Sequence, residues 1–272
     1  MSAPPYPFEH APAPWLLKGT AYWMFLKGLD AKQPLPDAAY HPLEQPGPDM
    51  DPVAANPKFM GGLGVVWIIR YEEGPVGPYD ELIYLPGTFE SPNGKSESRI
   101  TRIYVSSAVS VFNGRTNWNI AKHLARFAFT PLASDPRKTL VEVFEHYPED
   151  RPAGVAAAKP FFAAVFAPQR FVPAMPLNTK WLGLGALPQP PLRKGPHDEE
   201  AGTEKWQGFE CIVKGWTRGV WWEPAPMTPG SRIAPGEYAD GHSFPKVKIW
   251  SFGTGWDSGT LAGAPGAQAQ AE

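Results

Sequence analysis

Apolar residues along the chain come in short runs with a two-residue alternation, broken every ten residues or so by proline and glycine. Trp15 to Leu26 (WLLKGTAYWMFL) is a dense apolar run that reads as a buried strand pair or a strand leading into a helix. Gly62 to Tyr71 (GLGVVWIIRY) is rich in β-branched residues and predicts a strand. Glu81 to Leu85 predicts another. The intervening segment SPNGKS carries Asn93-Gly94, the strongest short hairpin signal, and Ile100 to Val111 reads as the strand that follows. Asn117 to Phe127 is the best helix candidate. Its apolar Trp118, Ala121, Leu124 and Ala125 fall on one helical face, with Lys122 beside it. Val141 to Tyr147, Pro160 to Pro168, Phe209 to Trp222 and Val247 to Phe252 complete the predicted strands.

Between them, residues 1–14 predict an extended Pro-rich lead, 31–57 an irregular segment and 187–205 a polar, Pro-rich surface loop. Residues 253–272 lack a core pattern and predict a disordered low-complexity tail. Residues 1–252 then form one α+β domain. Its curved, mostly antiparallel sheet closes into a cone-like β-barrel, since turn signals are regular and helical stretches few.

Composition sharpens this picture. With 34 prolines and 27 glycines in 272 residues, long helices are hard to fit. The 43% hydrophobic fraction supports a sizeable core. Twenty-five basic against 27 acidic residues leave no surplus to neutralise phosphates, so nucleic acid is not an expected partner. Cys211 is the lone cysteine, which excludes an internal disulfide and a thiolate zinc site. The six histidines lack tight ligand spacing, so no metal is expected. The opening MSAPPYPFEH is no signal peptide, and no stretch has the roughly 20 apolar residues that span a bilayer. A cytoplasmic chain with no membrane partner is the expectation. The 11 tryptophans are expected in the core rather than in an open carbohydrate-binding row.

Two segments carry candidate chemistry. Gly77-Pro78-Tyr79-Asp80-Glu81 enters a strand. Some forty residues later come Gly114-Arg115 and then Ala121-Lys122-His123-Leu124. This order and spacing resemble the acetoacetate decarboxylase family, whose Gly-x-Tyr-x-Glu element precedes a Gly-Arg pair and a Pro-Lys-Lys-Leu element. The stretch WNIAKHLARF is also similar to divergent fungal members. The resemblance implies that Lys122 is the Schiff-base lysine and Glu81 the active-site glutamate, with His123 in the place of the second lysine. It further implies a lyase acting on a small carbonyl or β-keto compound by decarboxylation, aldol, dehydration or cyclisation chemistry, as in secondary metabolism. No cofactor is implied, and a homo-oligomer is compatible. Tyr79, Arg115 and Trp118 are expected around the substrate. The family's carboxylate-holding arginine aligns with Thr20, with Lys18 two residues away as a substitute.

A free amine attacks carbonyls, and an ordinary lysine is almost wholly protonated near neutrality. Burial of Lys122 is therefore expected to lower its pKa, and Glu81 within about 4 Å would oppose that shift. The second reading of the same cavity is non-covalent binding of an apolar small molecule.

Overall fold

The computed structural model describes residues 8–265, apart from Val155, Ala157, Ala158, Arg170, Val172, Gly183, Leu184 and Gly185. The first apolar run becomes a single long strand, β1 (Trp15–Leu26), rather than a strand pair. A one-turn helix α1 (Pro52–Ala55) and a short strand β2 (Phe59–Gly61) precede β3 (Val65–Glu73) and β4 (Tyr79–Leu85). The Asn93-Gly94 turn joins β5 (Thr88–Glu90) to β6 (Ser96–Ser98), with Gly94 at φ +74°. Next come β7 (Arg102–Val105), helix α2 (Ala108–Trp118), β8 (Lys122–Leu132), β9 (Asp135–Glu145) and β10 (Phe162–Pro168). The chain continues through β11 (Met175–Asn178), β12 (Ala186–Gln189), β13 (Gln207–Pro224) and β14 (Ile249–Pro265).

Nine of these strands close a barrel in the order β10-β9-β8-β7-β4-β3-β1-β14-β13, with β13 pairing back to β10. All neighbours are antiparallel except β7 and β8. A parallel pair needs a crossover, and α2 supplies it. One hydrophobic cluster takes residues from all nine strands, including Met24, Ile68, Leu82, Tyr104, Ala125, Val141, Phe162, Trp222 and Ile249, and so fills the barrel. A second cluster, with Trp15, Trp23, Ile69, Ile83, Ile103, Val111, Trp118 and Phe209, lies on the opposite face of β1, β3, β4 and β7, beneath α2.

Four further expectations are corrected. The strand expected over Ile100–Val111 stops at Val105, and the helix expected over Asn117–Phe127 lies earlier in the chain. Ser107 caps α2 by accepting from the Ser110 N–H, and Asn119 ends it in the left-handed region at φ +53°. Crossover topology thus overrides the β preference of Val109, Val111 and Phe112. The segment 187–205 is packed rather than loose. Ala186–Gln189 pairs with β13, Leu192, Glu199 and Glu200 are buried, and Arg115 donates to the carbonyls of Arg193 and Ala201.

The expected tail is the fourth. Residues 253–265 extend β14, which is hydrogen-bonded between β1 and β13; residues 266–272 lie outside the described residues, as do residues 1–7 of the expected extended lead. Glycines hid this strand. A Cβ on Gly253 would lie 2.1 Å from the Trp23 carbonyl oxygen and 2.4 Å from Trp222 Nε1. Small residues let the aromatic neighbours close over the ladder. Of the tryptophans, Trp15, Trp23, Trp118 and Trp222 are buried, while Trp216, Trp221 and Trp250 are exposed.

A chain ending at Phe252 would leave two barrel strands without their shared partner. Its thermal unfolding followed by circular dichroism should lose cooperativity. A sharp transition close to that of the full chain would contradict a structural role for residues 253–265.

Candidate active site

Side chains alternate along a strand, so β8 sends Lys122 and Leu124 to one face and His123 and Ala125 to the other. Lys122 enters the second cluster and is 3% exposed. On β4, Tyr79, Glu81 and Ile83 share that face. Glu81 pairs with Val105 of β7, whose neighbour Ile103 pairs with Lys122, so the two charges approach across one intervening strand. Lys122 Nζ lies 3.1 Å from Glu81 Oε2 and donates to Ser110 Oγ at 3.0 Å. The Tyr79 ring lies 5.1 Å from the ammonium.

Gly114 explains how the lysine fits. A Cβ there would stand 2.6 Å from Lys122 Cδ and 2.8 Å from Cε, so the glycine lets the lysine stem lie against α2. From behind, Arg115 holds the strand entry. It pairs with Glu44 at 2.8 Å and reaches the Lys122 carbonyl at 3.4 Å.

The ammonium faces a cavity with about 480 Å³ of space not filled by atoms, part of it open to solvent. Trp15, Leu17, Trp67, Trp118, Ile120 and Phe209 form its apolar walls. Lys122 and Glu81 are the charged groups among the described residues lining it. Burial, and secondarily the Glu81 carboxylate, hold the Tyr79 phenol well above its ordinary pKa. The same two causes push the Cys211 thiol up to about 12. Neither group ionises near neutrality, so both stay as weak donors in the wall.

Lys122, Glu81, Tyr79 and Trp118 therefore meet in one cavity, and the other four candidates lie elsewhere. Lys18 forms an exposed ion pair with Glu73. Thr20 pairs across to Arg70, and Arg70 to Asp80, which places Thr20 on the face opposite Glu81. Arg115 is a fully buried structural clamp. His123 points away from the Lys122 ammonium. It stacks on His41 at 3.4 Å between ring centroids and bonds Glu200 Oε1 at 2.8 Å. Ser110 and Cys211 were missed as site residues. Ser110 lay inside an expected strand, and only its place four residues before Gly114 hints at a shared helical face.

No model of a known protein family matches the chain. Among solved structures it resembles acetoacetate decarboxylase from Legionella pneumophila, with a TM-score of 0.51 and 14% identity, over 100% of this chain and 94% of that one. It also resembles a second acetoacetate decarboxylase structure, with a TM-score of 0.52 and 10% identity, over 94% of this chain and 88% of that one. The chain has the acetoacetate decarboxylase-like fold. In sequence it is 31% identical over 80 residues to the protein NEOXANTHIN-DEFICIENT 1 of Oryza sativa subsp. japonica. That match takes in 29% of this chain and 26% of the rice protein, about a quarter of its length. No helix among the described residues is long and apolar enough to cross a membrane.

Within this acetoacetate decarboxylase-like fold, the His41–His123 stack is a pH-sensitive element. Burial pushes both rings well below the ordinary histidine pKa, and nearby Arg102 and Arg115 add to the shift. A folded-state pKa below the unfolded value means that the unfolded chain takes up more protons as pH falls. Stability is then present above about pH 6.5 and is lost as pH drops below it. The urea midpoint should fall from about pH 7 to pH 5, less steeply in His41→Asn. An unchanged slope in that variant would show that the stack does not set it.

Proposed function

We propose that the cavity takes a small, largely apolar carbonyl compound and that Lys122 forms a Schiff base with it. One observation carries this reading. A lysine amine is buried in an aromatic cavity with a carboxylate at 3.1 Å and a hydroxyl at 3.0 Å. The fold neighbours support lyase-type chemistry at the level of fold alone.

Each step has a group within reach. Lys122 passes a proton to Glu81, and its nitrogen lone pair attacks the carbonyl carbon. A proton then moves from nitrogen to oxygen, giving a neutral carbinolamine. Glu81 returns its proton to the hydroxyl, water leaves, and the nitrogen lone pair closes the iminium. Lysine ammonium and ketone thus become iminium and water, with Glu81 again a carboxylate. The iminium draws electrons from a neighbouring C–C or C–H bond, the step shared by decarboxylation, aldol and dehydration chemistry. Apolar walls that exclude water strengthen these charge movements.

Among the described residues the cavity offers a substrate carboxylate no arginine, and Lys18 and Thr20 lie outside it. Acetoacetate is therefore a poor substrate in this reading. Carbon dioxide release should stay far below the ~10 per second of a typical enzyme.

A second reading is non-covalent binding of an apolar ligand, favoured by the Glu81 carboxylate, which stabilises the lysine in its unreactive ammonium form. Borohydride reduction with a panel of apolar ketones and aldehydes between about pH 6 and 9, followed by peptide mass mapping, separates the two. The enzyme reading expects an adduct on Lys122 that is absent in Lys122→Met. Ligand-dependent thermal stabilisation without any adduct would replace it with the binding reading.

A further inference from the structure

We propose that a second cavity, walled off from Lys122 by Ile100, is a binding site for a small hydroxycarboxylate. It is lined by Tyr40, Glu44, Arg99, Thr101 and Ala121 together with the Gln189–Leu192 segment, and has about 270 Å³ of space not filled by atoms, part of it open to solvent. Ile100 is the one lining residue that it shares with the Lys122 cavity among the described residues.

Arg99 is the central observation. The residue is 6% exposed, yet its guanidinium forms no hydrogen bond or ion pair among the described residues. Three aromatic rings surround it instead, with centroids 5.6 Å away for Phe89, 5.8 Å for Trp206 and 5.9 Å for Tyr40. Faces of aromatic rings attract a cation but leave its N–H donors unmet. The Glu44 carboxylate acts on Arg99 through space without forming an ion pair, so its N–H donors stay open to a ligand anion. The other buried arginines of this region differ. Arg115 pairs with Glu44, and Arg102 donates to the carbonyls of Ala38 and Tyr40 and to the Tyr104 hydroxyl.

Arg99 is not alone in lacking a partner. Arg99 Nε, the Tyr40 hydroxyl, Thr101 Oγ1 and Glu44 Oε2 are all buried and without a hydrogen-bond partner among the described residues, and all four residues line this cavity. Four unmet buried polar groups around one space offer a polar ligand its partners. Their chemistry names its class. A guanidinium and two hydroxyls offer donors to a carboxylate. Glu44 Oε1 is committed to Arg115, so its free Oε2 is an acceptor that repels a bare anion but takes a hydrogen bond from a hydroxyl. A carboxylate with an adjacent hydroxyl meets both demands at once.

Thermal shift and calorimetric titration of the full chain with lactate, propionate and inorganic phosphate test this, with sodium chloride keeping ionic strength constant. Lactate should raise the melting temperature, and bind about tenfold more tightly than propionate, which lacks the hydroxyl. Arg99→Met should abolish the lactate shift. Thr101→Val, which keeps shape and is the safer variant for folding, should weaken lactate about tenfold. Lys122→Met should leave it intact, so failure of the Schiff-base reading and failure of this one are distinguishable. No lactate effect in the wild type, an equal effect in Arg99→Met, or stabilisation by phosphate but not by lactate would each overturn the assignment.

Discussion

A lysine ammonium and a glutamate carboxylate face each other at 3.1 Å in a cavity whose other walls are largely apolar and aromatic. Removing two such charges from water costs several kcal/mol per ion, and mutual attraction returns only part of it. The surrounding fold must offset the rest. Two hydrophobic clusters on opposite faces of one closed barrel provide that margin. The local devices are specific. Gly114 clears space for the lysine stem, Ser110 accepts a hydrogen bond from the ammonium, and Arg115 fixes the first residue of β8 from behind.

One strand register divides the polar chemistry into two compartments. Lys122 leaves β8 toward the apolar cavity, and His123 leaves it toward His41 and Glu200. The resemblance puts His123 in the place of a second lysine beside Lys122. Alternation along β8 turns its ring to the opposite face, so its partners are Glu200 and the stacked His41 instead. The packed segments 31–57 and 187–205 supply the groups on that side, and Arg193 ties them together by donating to Asp49 and to the carbonyls of Leu43 and Gln45.

Much of the barrel was legible in the sequence because its strands carry β-branched residues in alternation, as in VVWIIRY and FECIV. The meeting of Lys122 and Glu81 was legible only through motif order, since periodicity set Lys122 on a helix that does not exist there. That error has a physical source. Trp118, Ala121, Leu124 and Ala125 do fit a helical face, but Asn119 adopts φ +53° and ends the helix one residue after Trp118. The real helix was hidden by branched residues that a parallel crossover forces into helical form. β14 was hidden because glycines such as Gly253 and Gly255 break its pattern where a Cβ would meet Trp23, Trp222 and Tyr22, while its backbone pairs on both edges. Arg99 gave no sequence signal, because an arginine ringed by aromatics from three distant segments has no local pattern.

If the buried pair exists for chemistry, the fold should be at least as stable without it. Chemical denaturation of Lys122→Met, Glu81→Leu and the double variant measures this directly. Each single change should cost about 3–5 kcal/mol by leaving one charge buried without its partner. The double variant should recover to within about 1 kcal/mol of the wild type, or exceed it. A double variant as unstable as the worse single change would show instead that the pair is a structural element of the barrel.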